Sequence, residues 1–152
     1  MTDAAKKLLD RLQNLCAKQE CCSADMLQKA LKALEYDRAA AQEVVDSLVR
    51  DGYVCDARYA AAFAREKSSI TGWGPVKIKF ALAAKGIKGE TAQAALEEID
   101  PGRADAKLRK LLENKWKTLR EDPQGKLKLI KFALSRGYEY EQIREVIEEI
   151  CG

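Results

Sequence analysis

The chain has 152 residues, of which 47% are apolar, and a formal net charge of +3. That is enough apolar material for one packed domain or a row of small units, and too little net charge to name a partner. It contains no histidine, no G-x-x-x-x-G-K-S/T loop and no G-x-S-x-G, which removes the commonest general base and two familiar catalytic frames.

Ala, Leu, Glu, Lys and Gln dominate and alternating β-branched runs are scarce, so the expected fold class is all-α. The opening MTDAAKKLLDRLQNLC has no long apolar run, so neither a signal peptide nor a membrane helix is expected there. Five cysteines, an odd number, fit a reduced cytoplasm. The first predicted helix covers about residues 3–18. Cys16, Cys21 and Cys22 follow as a C-x4-C-C cluster; without histidine they do not complete a usual zinc set and read as small buried apolar residues. No metal or other cofactor is expected. Further helices are predicted at about 24–34, 38–51, 56–68, 74–85, 90–99, 103–119, 124–136 and 140–150. Asp51-Gly52, Thr71-Gly72-Trp73-Gly74-Pro75, Gly86, Asp100-Pro101-Gly102, Asp122-Pro123 and Gly137 separate them.

KFALAAKGIKGETAQAALEEI at 79–99 matches KFALSRGYEYEQIREVIEEI at 131–150 with one gap, and LQKALKALEYDRAAAQEVVDSLV at 27–49 is a weaker copy. Leu31, Leu82 and Leu134 anchor the three. The expected organisation is a tandem row of three-helix units forming an elongated curved array: an N-terminal helix at 1–22, repeats at 23–70 and 71–121, and a truncated third repeat at 122–152. Tyr53, Tyr59, Phe63, Phe80 and Phe132 fall in the apolar pattern and are expected in the core. No heptad seam is visible, and a monomer is expected.

Charge is distributed in blocks. Residues 65–88 hold six basic side chains against one acid, and residues 101–136 hold eleven against four. The stretches 89–100 and 137–152 are acidic. The candidate partner-binding or DNA-binding surface is therefore Arg65, Lys67, Lys77, Lys79, Lys85, Lys88, Arg103, Lys107, Arg109, Lys110, Lys115, Lys117, Lys126, Lys128, Lys131 and Arg136. A solubilising face is the competing reading. Trp73, between two glycines, reads either as a packing residue at a junction or as an interface anchor.

Three ordered stretches resemble the RecX family, the regulators of the bacterial recombinase RecA. LVRDGYVCDARYAAAFAREK at 48–67 is similar to its Asp-x-Arg-aromatic-Ala signature, carried by Gly52, Tyr53, Asp56, Arg58, Tyr59, Ala60 and Phe63. GWGPVKIKFALAAKGI at 72–87 and FALSRGYEYEQIREVI at 132–147 are similar to two further elements of that family. The resemblance implies a non-enzymatic array of three-helix units that binds RecA filaments along their groove. It would limit ATPase and strand-exchange activity in DNA repair and recombination, with DNA, single- or double-stranded, as a further contact. The rival readings are a DNA-binding module acting without RecA and a helical scaffold for another acidic protein.

Overall fold

A computed structural model describes all 152 residues, Met1–Gly152. Nine α-helices follow one another without a strand: α1 Asp3–Lys18, α2 Ser23–Ala33, α3 Arg38–Arg50, α4 Asp56–Glu66, α5 Pro75–Ala84, α6 Gly89–Glu97, α7 Pro101–Leu119, α8 Gly125–Ser135 and α9 Tyr140–Cys151. Their starts are chemically marked. The Thr2 hydroxyl accepts from the Ala5 N–H at 3.1 Å, and the Asp37 and Asp100 carboxylates accept from Ala40 (3.1 Å) and Gly102 (2.9 Å). These caps satisfy donors that have no partner inside the helix. Pro75 and Pro101 open α5 and α7, where a missing N–H costs nothing.

Three separate apolar cores form. Leu8, Leu12, Met26, Val44 and Leu48 hold α1, α2 and α3 together. Ala60, Ala64, Ile78, Leu82, Ala92 and Ala95 do the same for α4, α5 and α6. Leu108, Leu112, Leu129, Ile143 and Ile147 do so for α7, α8 and α9. The repeat is therefore framed one helix earlier than the boundaries at 22, 70 and 121. The N-terminal helix is the first member of the first unit, and the third unit has all three helices. The cause is packing: α1 buries Ala5, Leu8 and Leu12 against α2 and α3, so it is no appendage.

The anchor of the third unit also moves by one residue. Leu134 is 47% exposed, while Ala133 is buried. In each unit the middle helix ends with the same backbone bond: Tyr36 N–H to Leu31 O (2.7 Å), Ile87 to Leu82 (2.9 Å), Tyr138 to Ala133 (3.4 Å). This is the six-to-one closure of a helix C-terminus. It passes through a left-handed residue, Gly86 or Gly137 in the later units and Glu35 (φ 53°) in the first. The shared letters KFAL thus lie one residue out of register with the packing.

The units meet at two junctions. At the first, Cys22 from the α1–α2 loop is fully buried in the second core. Around it, the Ser23 N–H donates to Asp56 Oδ1 at 2.7 Å, Arg58 Nε donates to Glu20 at 2.8 Å, and Lys85 pairs with Asp25 at 2.6 Å. α2 has no capping side chain of its own, because Cys22 stands at its N-cap. Asp56 of the next unit supplies that acceptor.

At the second junction the contact is backbone on backbone. The Gly74 N–H donates to Arg136 O at 2.7 Å, and the Val76 N–H donates to Gly137 O at 2.9 Å. A β-carbon on Gly74 would overlap the Gly137 carbonyl, and one on Gly137 would overlap Lys77. Only glycine permits this approach. A π-helical turn, Lys67–Thr71, leads into the junction and packs on α7. It closes through the Trp73 N–H to Lys67 O at 2.8 Å.

Candidate interaction surface

Five of the sixteen candidate cations are already neutralised by the chain itself. Arg65 faces Glu98 at 3.6 Å, Lys85 faces Asp25, Arg103 approaches Asp100 at 4.0 Å, and Lys128 meets Asp122 at 2.5 Å. Arg109 sits between Asp105 (2.7 Å) and Glu149. The hydrogen bonds that Arg109 donates to Glu149 and Asp105 push its guanidinium up from its ordinary value, and in return hold the Glu149 carboxyl below its own. All five are exposed pairs, of small worth to stability, but each places a carboxylate of the chain beside the cation.

The other eleven carry no ion pair. Lys88 stands at the N-cap of α6, and Lys110, Lys117, Lys126 and Lys131 are scattered over exposed surface. Lys79 lies on the outer face of α5, beside Phe80. The remaining five, Lys67, Lys77, Lys107, Lys115 and Arg136, converge on the second junction.

Trp73 organises one half of this cluster. Its ring meets Phe63 edge-on at 6.1 Å, and Lys67 Nζ and Lys77 Nζ lie 4.8 Å and 4.6 Å from its centre. Trp73 is half-buried: one side packs against the second core, as the junction reading expects, and two lysines lie over its ring. The π-helical turn places Gly72 under α7, where Lys107 and Leu111 lie against it. Phe132 organises the other half. Lys115 Nζ is 5.2 Å and the Arg136 guanidinium 5.1 Å from its ring centre. Lys107, Leu111 and Lys115 are spaced four apart, so one stripe of α7 joins the two halves. The stripe of Lys107, Lys110 and Lys117 suggested by spacing does not form one unit, because Lys107 turns toward Gly72 while the other two are exposed.

Sequence reasoning placed Phe132 in the core, which it packs against, and missed its second role as a platform between cations. It also placed Phe80 there, whereas Phe80 is 79% exposed. α5 is apolar nearly all round, PVKIKFALAA, so its sequence gives no phase by which to choose the buried face. Ile78 and Leu82 take the inside, and Val76 and Phe80 are left outside.

Residues 56–96 match the profile of the second three-helix domain of RecX, and residues 104–147 match that of the third. The chain belongs to the RecX family. Curated relatives named regulatory protein RecX include one from Bacillus cereus (strain G9842), 30% identical over 126 residues, and one from Bacillus mycoides (strain KBAB4), 29% identical. Each alignment covers 82% of this chain and 47% of the relative, so the chain spans about half the length of the curated relatives it matches. The crystal structure of RecX from Lactobacillus salivarius superposes with a TM-score of 0.82 at 23% identity, covering 99% of both chains. A second crystal structure, of regulatory protein RecX, gives 0.83 at 21% identity over 97% of this chain and 72% of that one. These two likenesses concern the fold. The two profile matches coincide with the second and third cores. No helix is long and apolar enough to cross a membrane.

The signature residues of the family now have physical roles. Asp56 caps α2 across the first junction, and Arg58 ties Glu20 to that junction while also donating to Gly52 O at 3.1 Å. Tyr59 stacks on Phe63 at 5.8 Å, which in turn meets Trp73. The signature therefore links the first junction to the second through one aromatic row.

Proposed function

We propose that this chain regulates RecA by lying on its filament in the cytoplasm, with the basic cluster at the second junction facing the filament and any DNA it carries. The observation that carries this reading is the convergence of Lys67, Lys77, Lys107, Lys115 and Arg136 with no carboxylate to neutralise them. Five unpaired cations on a small surface are repelled by one another, and an acidic or phosphate-bearing partner relieves that repulsion. The mechanism is occupancy rather than catalysis: a rigid body seated across protomers limits ATP hydrolysis and strand exchange without making or breaking a covalent bond.

The test is RecA's DNA-dependent ATPase and strand exchange with this chain titrated in at moderate salt. The expected result is inhibition by the wild-type chain, and inhibition at least about tenfold weaker for Lys107→Glu combined with Arg136→Glu. Circular dichroism of that variant should match the wild type. Equal inhibition by both proteins would remove the cluster from the mechanism. DNA binding that falls steeply with salt, with RecA unaffected, would favour the reading in which phosphate contacts alone do the work.

A further inference from the structure

The first unit carries a basic surface of its own, on residues outside the basic blocks of the sequence. Arg11 on α1 and Lys29 and Lys32 on α2 are exposed and line one cleft between the two helices. None of the three has an ion pair within the chain. Their helical neighbours explain why. The residues one turn from Arg11 are Lys7, Leu8, Asn14 and Leu15, none of them an acid. Lys29 has one acid within a turn, Asp25, and Lys85 of the second unit takes it across the first junction at 2.6 Å. Lys32 has only Glu35, which lies past the end of α2 in the left-handed conformation.

Between these cations the cleft is apolar. Leu8, Leu12 and Leu15 line it, the first two buried and Leu15 half-buried. From Leu8 to Leu15 the helix rises about 10 Å, which is two turns. No carboxylate and no aromatic ring lines the cleft. These features choose among occupants. A phosphodiester backbone would meet the cations but leave the leucines in water, and its bases would find no ring to stack on. The acidic helix α9 of a second copy fits poorly, because Glu141, Glu148 and Glu149 are already paired with Arg144 and Arg109. A helix with acids flanking an apolar stripe satisfies both the cations and the leucines.

We propose that the α1–α2 cleft is a docking seat for an acidic amphipathic helix of a protein partner, with Arg11, Lys29 and Lys32 facing its carboxylates and Leu15 its apolar stripe. The seat lies in the first unit, apart from the cluster at the second junction, and does not rest on the proposed function. It is tied to the first junction through one residue. When Lys85 releases Asp25, that carboxylate comes within a helical turn of Lys29 with no other partner, and takes one cation from the seat.

The experiment measures binding of labelled peptides to the full chain at low salt by fluorescence anisotropy. The first peptide has leucine at i, i+3, i+4 and i+7 and glutamate between them. A second replaces every glutamate by glutamine, and a third replaces every leucine by serine. Wild type should bind the first peptide about tenfold more tightly than either of the others. Arg11→Glu combined with Lys32→Glu should lose about tenfold for the first peptide, and Lys85→Met, which frees Asp25, should lose a few-fold. Lys117→Glu, an exposed cation of the third unit, should bind as wild type does. Arg11 and Lys32 are exposed, so the double variant should keep the wild-type circular dichroism. Equal binding of the glutamate and glutamine peptides, or wild-type binding by the double variant, would overturn the seat. Equal binding of the leucine and serine peptides would reduce it to a patch of charge. Displacement of the first peptide by oligodeoxythymidine at lower concentration than by the same peptide unlabelled would assign the cleft to nucleic acid. Self-association of the wild type that the double variant abolishes would assign it to a second copy. Each of these last three results also overturns the proposal, and none of them bears on inhibition of RecA.

Discussion

The two junctions of this array are built from different materials. The first is made of side chains: Asp56 capping α2, Arg58 on Glu20, Lys85 on Asp25, and Cys22 pushed into the neighbouring core. The second is made of backbone: Gly74 against Gly137, with two main-chain hydrogen bonds across the contact. Side-chain ion pairs that are a third or more exposed are weak and salt-sensitive. A backbone contact that excludes even a methyl group admits little adjustment. The second and third units should therefore move as one body, and the first unit should be the one whose angle responds to solution conditions. The unpaired cations lie on the rigid junction, where their spacing is fixed.

The largest test of this contrast is Gly137→Ala. The added methyl overlaps Lys77, and the φ of 90° disfavours any side chain, so a loss of about 3 kcal/mol or more is expected in urea unfolding. A loss below about 1 kcal/mol would show that the backbone contact yields, and the contrast would fail. Asp56→Ala should cost about 1–2 kcal/mol, the range for a lost helix cap, and hydrogen exchange should rise first at the start of α2. Uniform exchange through all three units would instead mean that the junctions are coupled. The smallest effect belongs to Lys85→Met. It should cost less than about 1 kcal/mol, and the difference from wild type should vanish near 1 M salt.

Much of the helical frame is legible in the sequence, because prolines, glycines and acidic caps mark the starts and stops. The frame of the repeat is not. KFAL at 79 and KFAL at 131 are the same letters, but the inward phase of α8 is set by α7 and α9, which turn Ala133 inward and Leu134 outward. Glu35 gives no sign that it holds the left-handed position its glycine counterparts occupy, since that conformation is imposed by the closing bond from Tyr36 to Leu31. The basic surface was legible as a set of lysines and arginines. Which of them are free was legible only where the acid is a near neighbour, as Asp105 is to Arg109; Asp25 for Lys85, Glu98 for Arg65 and Glu149 for Arg109 come from far away in the chain. Phe132 does pack against the third core, as the apolar pattern suggests, but the two cations over its ring are encoded by no spacing rule.

The burial of Cys22 makes it a clock. Its thiol belongs by sequence to the first unit and by packing to the second core, and burial pushes its pKa up to about 11. A thiol held protonated out of contact with water does not attack an alkylating reagent. Reaction at Cys22 therefore waits for the first unit to lift from the second. The alkylation rate then counts those openings, and its change when a filament is added would report whether the partner holds the array shut.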